Sequence, residues 1–308
     1  MSILVVGSVA FDDIQTPFGK AERCLGGSAT YFSVAASFFT DVDLVGVVGD
    51  DFSEKDLEIF RGRRINLEGL ERVRGGKTFV WSGEYGYDLN VAKTLDTRLN
   101  VFGTFDPKLN ERQRRAPVVF LANIHPELQM RVLQQMERPK LVALDTMNLW
   151  IATKRTELEN AFRQVDLVLI NEAETRQFTG ETSLVKGARQ ILSLGPHTIV
   201  IKRGEYGVLM ITRGEIFAVP AYPLENVFDP TGAGDTFAGG FLGYLTSRQQ
   251  HNETELRRAI IFGSVLASFT VEKFSLDRLR EITLDDVNER YRAFRTLTHF
   301  EDVATDRR

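Results

Sequence analysis

Residues 229–241 read DPTGAGDTFAGGF, four glycines and two carboxylates in thirteen positions. Asp229 and Pro230 open a turn, Gly232-Ala233-Gly234 continue it, and from Thr236 the pattern TFAGGFLGYLTSR is helical. Glycines permit backbone angles closed to other residues, so successive N–H groups can point one way. The helix behind them adds free N–H groups and the positive end of its dipole. Together these make an anion site, yet an acid, Asp235, stands where the anion belongs. Two readings follow. Asp235 could merely cap the helix, and Gly239, Gly240 and Gly243 could merely allow close helix packing. Against this, three glycines inside one helix cost roughly 1 kcal/mol each relative to alanine, so something must approach that backbone closely.

Outward from this stretch, short β-branched apolar runs alternate with amphipathic ones. Continuous apolar runs at 3–6, 42–48, 117–123, 140–145, 165–170 and 198–203 have the pattern of strands covered on both faces. Helical patterns occupy 29–39, 53–63, 126–137, 155–164 and 184–194, then 254–274 and 284–295. That alternation predicts a parallel sheet with helices on both sides, and ligands beyond the carboxyl ends of its strands. Residues 73–105 break the rhythm. They alternate apolar and polar without a helix, which predicts antiparallel strands with one wet face, an appended lid joined by 11–25.

The chain has 308 residues, 43% hydrophobic, with a formal net charge of −4. Nothing resembles a nucleic-acid binder, which carries a strong basic excess. Cys24 is the only cysteine, so no internal disulfide forms and a reducing, cytoplasmic setting is expected. No basic leader precedes the first apolar run, which Asp12 and Asp13 end early, and no apolar stretch nears the ~20 residues of a membrane span. There is no GxxxxGK[ST] and no GxGxxG after the first strand. His125, His197, His251 and His299 are scattered and read as surface or helix-end residues.

The stretch DPTGAGDTFAGGF closely resembles the C-terminal signature of the ribokinase-like, or PfkB, carbohydrate kinases. The likeness covers about residues 3–280. It includes Gly26-Gly27 ahead of a helix, VGVVGDDF (45–52), NEAE (171–174) and the turn RGEYG (203–207). It implies an α/β fold: a ribokinase-like three-layer α/β/α sandwich with a mostly parallel central sheet and a small β-lid. The core would comprise 1–10, 26–72 and 106–300, the lid 11–25 and 73–105, with a frayed tail at 301–308.

The resemblance also implies roles. Asp235 would be the base, and the N–H groups of Gly232, Ala233 and Gly234 the anion hole. With an ordinary carboxyl pKa of about 3.9, Asp235 would be charged and a weak base, which a loose phosphoryl-transfer transition state tolerates. Asn171 and Glu174 match the family's N-x-x-E motif and would serve Mg²⁺; taken alone they could equally be a capping box. Asp145 and Asn148 would contribute from a second side. ATP would lie along Thr231 and the turn of Gly204 and Gly207, with Lys202 where many relatives have Thr, either meeting phosphate or facing solvent. Asp12 would hold acceptor hydroxyls, with a shift to Asp13 open, and Gly26-Gly27 would hinge the lid and contact the substrate through their backbone. Tyr31 stands where many relatives carry a sugar-contacting Asn, and could stack on the substrate or belong to the core. Lid aromatics Phe79, Trp81, Tyr85 and Tyr87 could cover a base or pack against a partner's lid in a homodimer. A monovalent cation near Asp229 stays open.

The expectation is thus an ATP- and Mg²⁺-dependent kinase acting on a hydroxyl of a small sugar. Two alternatives remain: a nucleoside acceptor such as adenosine, and a non-catalytic nucleotide or sugar sensor.

Overall fold

The structure is a computed structural model that describes residues 2–248 and 252–301. The tail from 302 onward and His251 lie outside the described residues. In chain order the first half contains β1 (Ser2–Val6), β2 (Ala10–Thr16), β3 (Gly19–Gly26), α1 (Ser28–Ala36), β4 (Asp41–Gly49), α2 (Glu54–Leu57), β5 (Ile65–Val73), β6 (Phe79–Tyr85), β7 (Ala92–Arg98), α3 (Glu111–Arg114), β8 (Val118–Leu121), α4 (Pro126–Gln135) and β9 (Leu141–Asp145). The second half contains α5 (Asn148–Thr153), α6 (Arg155–Phe162), β10 (Leu167–Asn171), α7 (Glu172–Thr179), α8 (Leu184–Leu194), β11 (Thr198–Lys202), β12 (Val208–Thr212), β13 (Ile216–Val219), α9 (Ala233–Arg248), α10 (Glu253–Thr270), α11 (Asp277–Glu281) and α12 (Leu284–Thr298).

The main sheet has the order β13-β12-β11-β10-β9-β8-β1-β4-β5. Its strands from β11 to β5 pair in parallel, and β12 and β13 add on antiparallel. Both faces are covered, which is why the central strands are apolar without alternation. Ile3 and Val5 enter one core with Phe32, Phe120 and Phe241; Leu4 and Val6 enter the other with Val132, Leu158 and Ile191. Successive strand side chains point to opposite faces, so one short strand feeds two cores. No helix among the described residues is long and apolar enough to cross a membrane.

The second sheet has the order β3-β2-β6-β7. β2–β3 and β6–β7 are antiparallel, and the central pair β2–β6, which joins the 11–25 and 73–105 segments, is parallel. β2 and β6 each follow a parallel strand of the main sheet, β1 and β5, and leave it in the same direction. Asp50 and Asp51 fix this exit: Gly75 N–H donates to Asp50 and the Thr78 N–H and hydroxyl to Asp51. The helix expected over 53–63 is shortened to Glu54–Leu57. Turns follow it, with Gly62 at φ +69°, and lead the chain into β5. β5 and β13 lie at the two edges and are only partly buried, so neither has the apolar run by which the inner strands were read.

The glycines of α9 have a packing cause. A side chain at Gly239 would start 2.4 Å from the Phe32 carbonyl oxygen, and one at Gly243 2.8 Å from the Ala36 Cα, both on α1. A side chain at Gly240 would start 3.0 Å from the Phe262 carbonyl oxygen on α10. What approaches this helix beyond its first turn is protein backbone. Gly239→Ala should therefore destabilise by ~1–3 kcal/mol through overpacking, reversing the gain of about 1 kcal/mol that helix propensity alone would give. Urea unfolding midpoints of the two proteins measure the sign directly.

Candidate active site

Adjacent parallel strands end side by side, and their carboxyl ends carry Asp145 (β9), Asn171 (β10) and Lys202 (β11), with Asn171 and Lys202 in register. Lys202 Nζ lies 2.6 Å from Asp145 Oδ2, and its side chain is 17% exposed. The first turn of α9 sits over this row. A side chain at Gly234 would start 3.2 Å from Lys202 Nζ. Gly232 has φ +73°, the left-handed turn that glycine adopts freely, and a side chain there would meet the Tyr31 ring at 2.4 Å. Ala233 N–H donates to the Pro230 carbonyl (3.2 Å), so this expected anion-hole donor is already engaged in closing the turn. The N–H groups of Gly232, Gly234 and Asp235 meet no acceptor among the described residues.

Asp235 is the third residue of α9, not its cap. Its carboxylate makes no hydrogen bond to a described residue. Burial first, and the Asp145 carboxylate second, push its carboxyl up to about 7 from an ordinary 3.8, against the pull of Lys202. This departs from the weak-base expectation: Asp235 is a stronger base, ionised over a narrower pH range. Glu174 is likewise pushed up to about 7, chiefly by burial. Lys202 is raised despite burial, because Asp145, Glu174 and Asp235 favour its charged form.

Asn171 and Glu174 do form a capping box at α7: Asn171 N–H donates to Glu174 Oε2 (2.9 Å) and Glu174 N–H to Asn171 Oδ1 (2.8 Å). Among the described residues no group of three or more His, Cys, Asp or Glu side chains could hold a metal. Glu174 and Asp145 nevertheless suit Mg²⁺, which keeps several waters and shares the phosphates of its nucleotide. Asn148 is exposed at the start of α5.

On the opposite side lies Asp12, 4% exposed. A side chain at Gly26 would start 1.9 Å from Asp12 Oδ2, so Gly26 makes room for this carboxylate. Gly27, at φ +93°, supplies an N–H to it. Burial, then Asp229, Asp235 and Asp13, raise Asp12 well above the usual carboxylate range. Asp13 is engaged within the lid, accepting from Arg23 N–H (2.8 Å) and the Ser82 hydroxyl (3.1 Å). Tyr31 is buried, and its hydroxyl has no hydrogen-bond partner among the described residues. Both Asp229 oxygens accept N–H groups, from Thr231 and Ser275, each at 2.9 Å.

The lid touches the site at points that sequence reading missed, because they join residues far apart in the chain. The Thr231 hydroxyl donates to the Tyr85 hydroxyl (3.3 Å), while Phe79 stacks on Phe102 and Tyr87 is 91% exposed. The glycines of the 203–207 turn make room for neighbouring parts of the chain. A side chain at Gly204 would meet Asn90 Oδ1 at 1.8 Å, and one at Gly207 the Val219 carbonyl oxygen at 2.1 Å.

Residues 3–281 match the family model described as pfkB family carbohydrate kinase. The chain is 30% identical over 255 residues to a cytidine kinase of Thermococcus kodakarensis, covering 80% of this chain and 90% of that protein. It superposes on the nucleoside kinase of Methanocaldococcus jannaschii with a TM-score of 0.76 at 20% identity, over 95% of this chain and 98% of the other. An Escherichia coli protein described as a Ribokinase II in complex with ATP and Mg²⁺ matches with a TM-score of 0.74 at 14% identity, over 95% and 99% of the two chains.

Native Asp235 holds its proton up to about pH 7, whereas the unfolded chain releases it near the ordinary 3.8. Between those values the unfolded state binds fewer protons, so this group lowers stability as pH rises through that window. Asp235→Asn should therefore melt above the wild type at pH 8, with the difference shrinking toward pH 5. Thermal melts across that range measure it; a constant or inverted difference would contradict the raised pKa.

Proposed function

Since this chain belongs to the PfkB family of carbohydrate kinases, we propose that it moves the γ-phosphoryl group of ATP onto a ribosyl hydroxyl, in a nucleoside by preference and in a free small sugar as the second reading. The nucleoside preference rests on the cytidine kinase likeness over most of both chains. The observation that carries the reaction is the unengaged carboxylate of Asp235. It lies beside open helix N–H groups and is felt electrostatically both by Asp12 and by the Lys202–Glu174 group.

In this reading the γ-phosphoryl group rests on the N–H groups of Gly232 and Gly234, with help from the helix dipole. Asp12 accepts hydrogen bonds from acceptor hydroxyls and turns one toward the phosphorus. As the bond to ADP breaks and the new P–O bond forms, Asp235 takes the hydroxyl proton. Mg²⁺, held with the nucleotide near Glu174 and Asp145, would neutralise phosphate charge. Tyr31 supports the turn of Gly232 with its buried ring. Tyr85 and Thr231 hold the lid down so that water does not compete as acceptor. A homodimer through the lid would use β7, exposed along its length.

Purified protein with Mg-ATP and a panel of nucleosides and pentoses should phosphorylate nucleosides with the higher kcat/KM. Asp235→Asn should lower kcat by ~10²–10⁴ while retaining ligand binding. Wild-type turnover on none of the panel, with ligands still raising the melting temperature, would instead identify a sensor.

A further inference from the structure

Lys202 is a cation in an unusual place. It is largely buried at the end of β11, and its ammonium faces the positive end of α9 beside open N–H groups. Two positive poles face each other across a gap that Gly234 leaves free of any side chain. Three carboxylates, Asp145, Glu174 and Asp235, lie near the ammonium. The one that pairs with it directly, Asp145, has a further partner, since its Oδ1 accepts Thr146 N–H at 2.8 Å. A phosphoryl group in the cradle would meet positive charge from both sides, from the helix end above and the ammonium below.

We propose that Lys202 is a catalytic residue that contacts the transferred phosphoryl group. This rests on the kinase reading above and deepens it. Without nucleotide the ammonium rests on Asp145. With ATP bound it donates to a γ-phosphoryl oxygen and follows that group as the bond to ADP breaks and the bond to the acceptor oxygen forms. The lysine stays protonated throughout, and the acceptor proton goes to Asp235. An ammonium aimed at the terminal phosphate must distinguish ATP from ADP, which a purely structural lysine would not do.

The test is calorimetric titration of wild type and Lys202→Gln with β,γ-imido ATP and with ADP, in Mg²⁺ and without acceptor, together with steady-state kinetics. The variant should lose about tenfold or more in affinity for the triphosphate beyond any loss for ADP, as expected for one charge-assisted hydrogen bond. Its kcat should fall by ~10²–10³ with acceptor KM within about twofold. Lys202→Arg should recover part of the triphosphate preference. If Lys202→Gln does not fold, Lys202→Met combined with Asp145→Asn leaves neither charge buried alone, and is compared with Asp145→Asn by the same ratio. An unchanged ratio in an otherwise active kinase overturns the role of Lys202 alone. Failure of the wild type to bind either nucleotide overturns the kinase reading and this inference with it.

Discussion

Carboxylates taken out of water must find compensation, and at the carboxyl edge of this sheet the compensation is uneven. Asp229 has two N–H groups, Glu174 has the Asn171 N–H, and Asp145 has Lys202 and the Thr146 N–H. Asp235 has no hydrogen-bond partner among the described residues. Its burial raises it into the range where a carboxyl can gain and lose a proton near neutrality. The charged cluster around it holds a single lysine against three acids, a surplus of negative charge that fits a site whose nucleotide arrives with a divalent cation.

The cradle above that cluster depends on helix packing. Backbone contact of α1 with α9 at Gly239 and Gly243, and of α10 with α9 at Gly240, leaves the first turn of α9 little freedom to shift. The same α1 presents the Tyr31 ring beneath Gly232, so the left-handed turn rests on a rigid aromatic face. The end of α10 adds the Val271 carbonyl, which accepts Phe228 N–H at 2.8 Å, and Thr270, which bonds Thr236 at 3.0 Å. The acceptor side (Asp12, Tyr31) and the nucleotide side (Lys202, Glu174) are thereby referred to one helix terminus. From the other direction, Tyr85 in the lid reaches the same loop through Thr231.

Strand positions, the alternation of strand and helix, and the special turn before Thr236 were legible because each is local. Continuous apolar runs mark strands covered twice, and glycines at fixed offsets mark turns. The inner strands therefore emerged, whereas the edge strands β5 and β13 did not, since partial burial leaves no apolar run. Among the candidate site residues, Asp235 was singled out by the glycine-rich stretch and Asp12 only by the family resemblance. The alternatives left open at Asp13, Lys202 and Tyr31 were not separable along the chain, since each turns on a partner far off in the sequence.

The sequence by itself determined the fold class, the glycine turn feeding a helix and the identity of the acids at the strand ends, because all of these follow from short-range pattern. Only the tertiary structure decided that Gly239, Gly240 and Gly243 admit neighbouring helices, that Lys202 pairs with Asp145, and that the Asp235 carboxylate has no hydrogen-bond partner among the described residues. Those outcomes are set by distances between residues tens to hundreds of positions apart, and by the loss of water at the place where they meet.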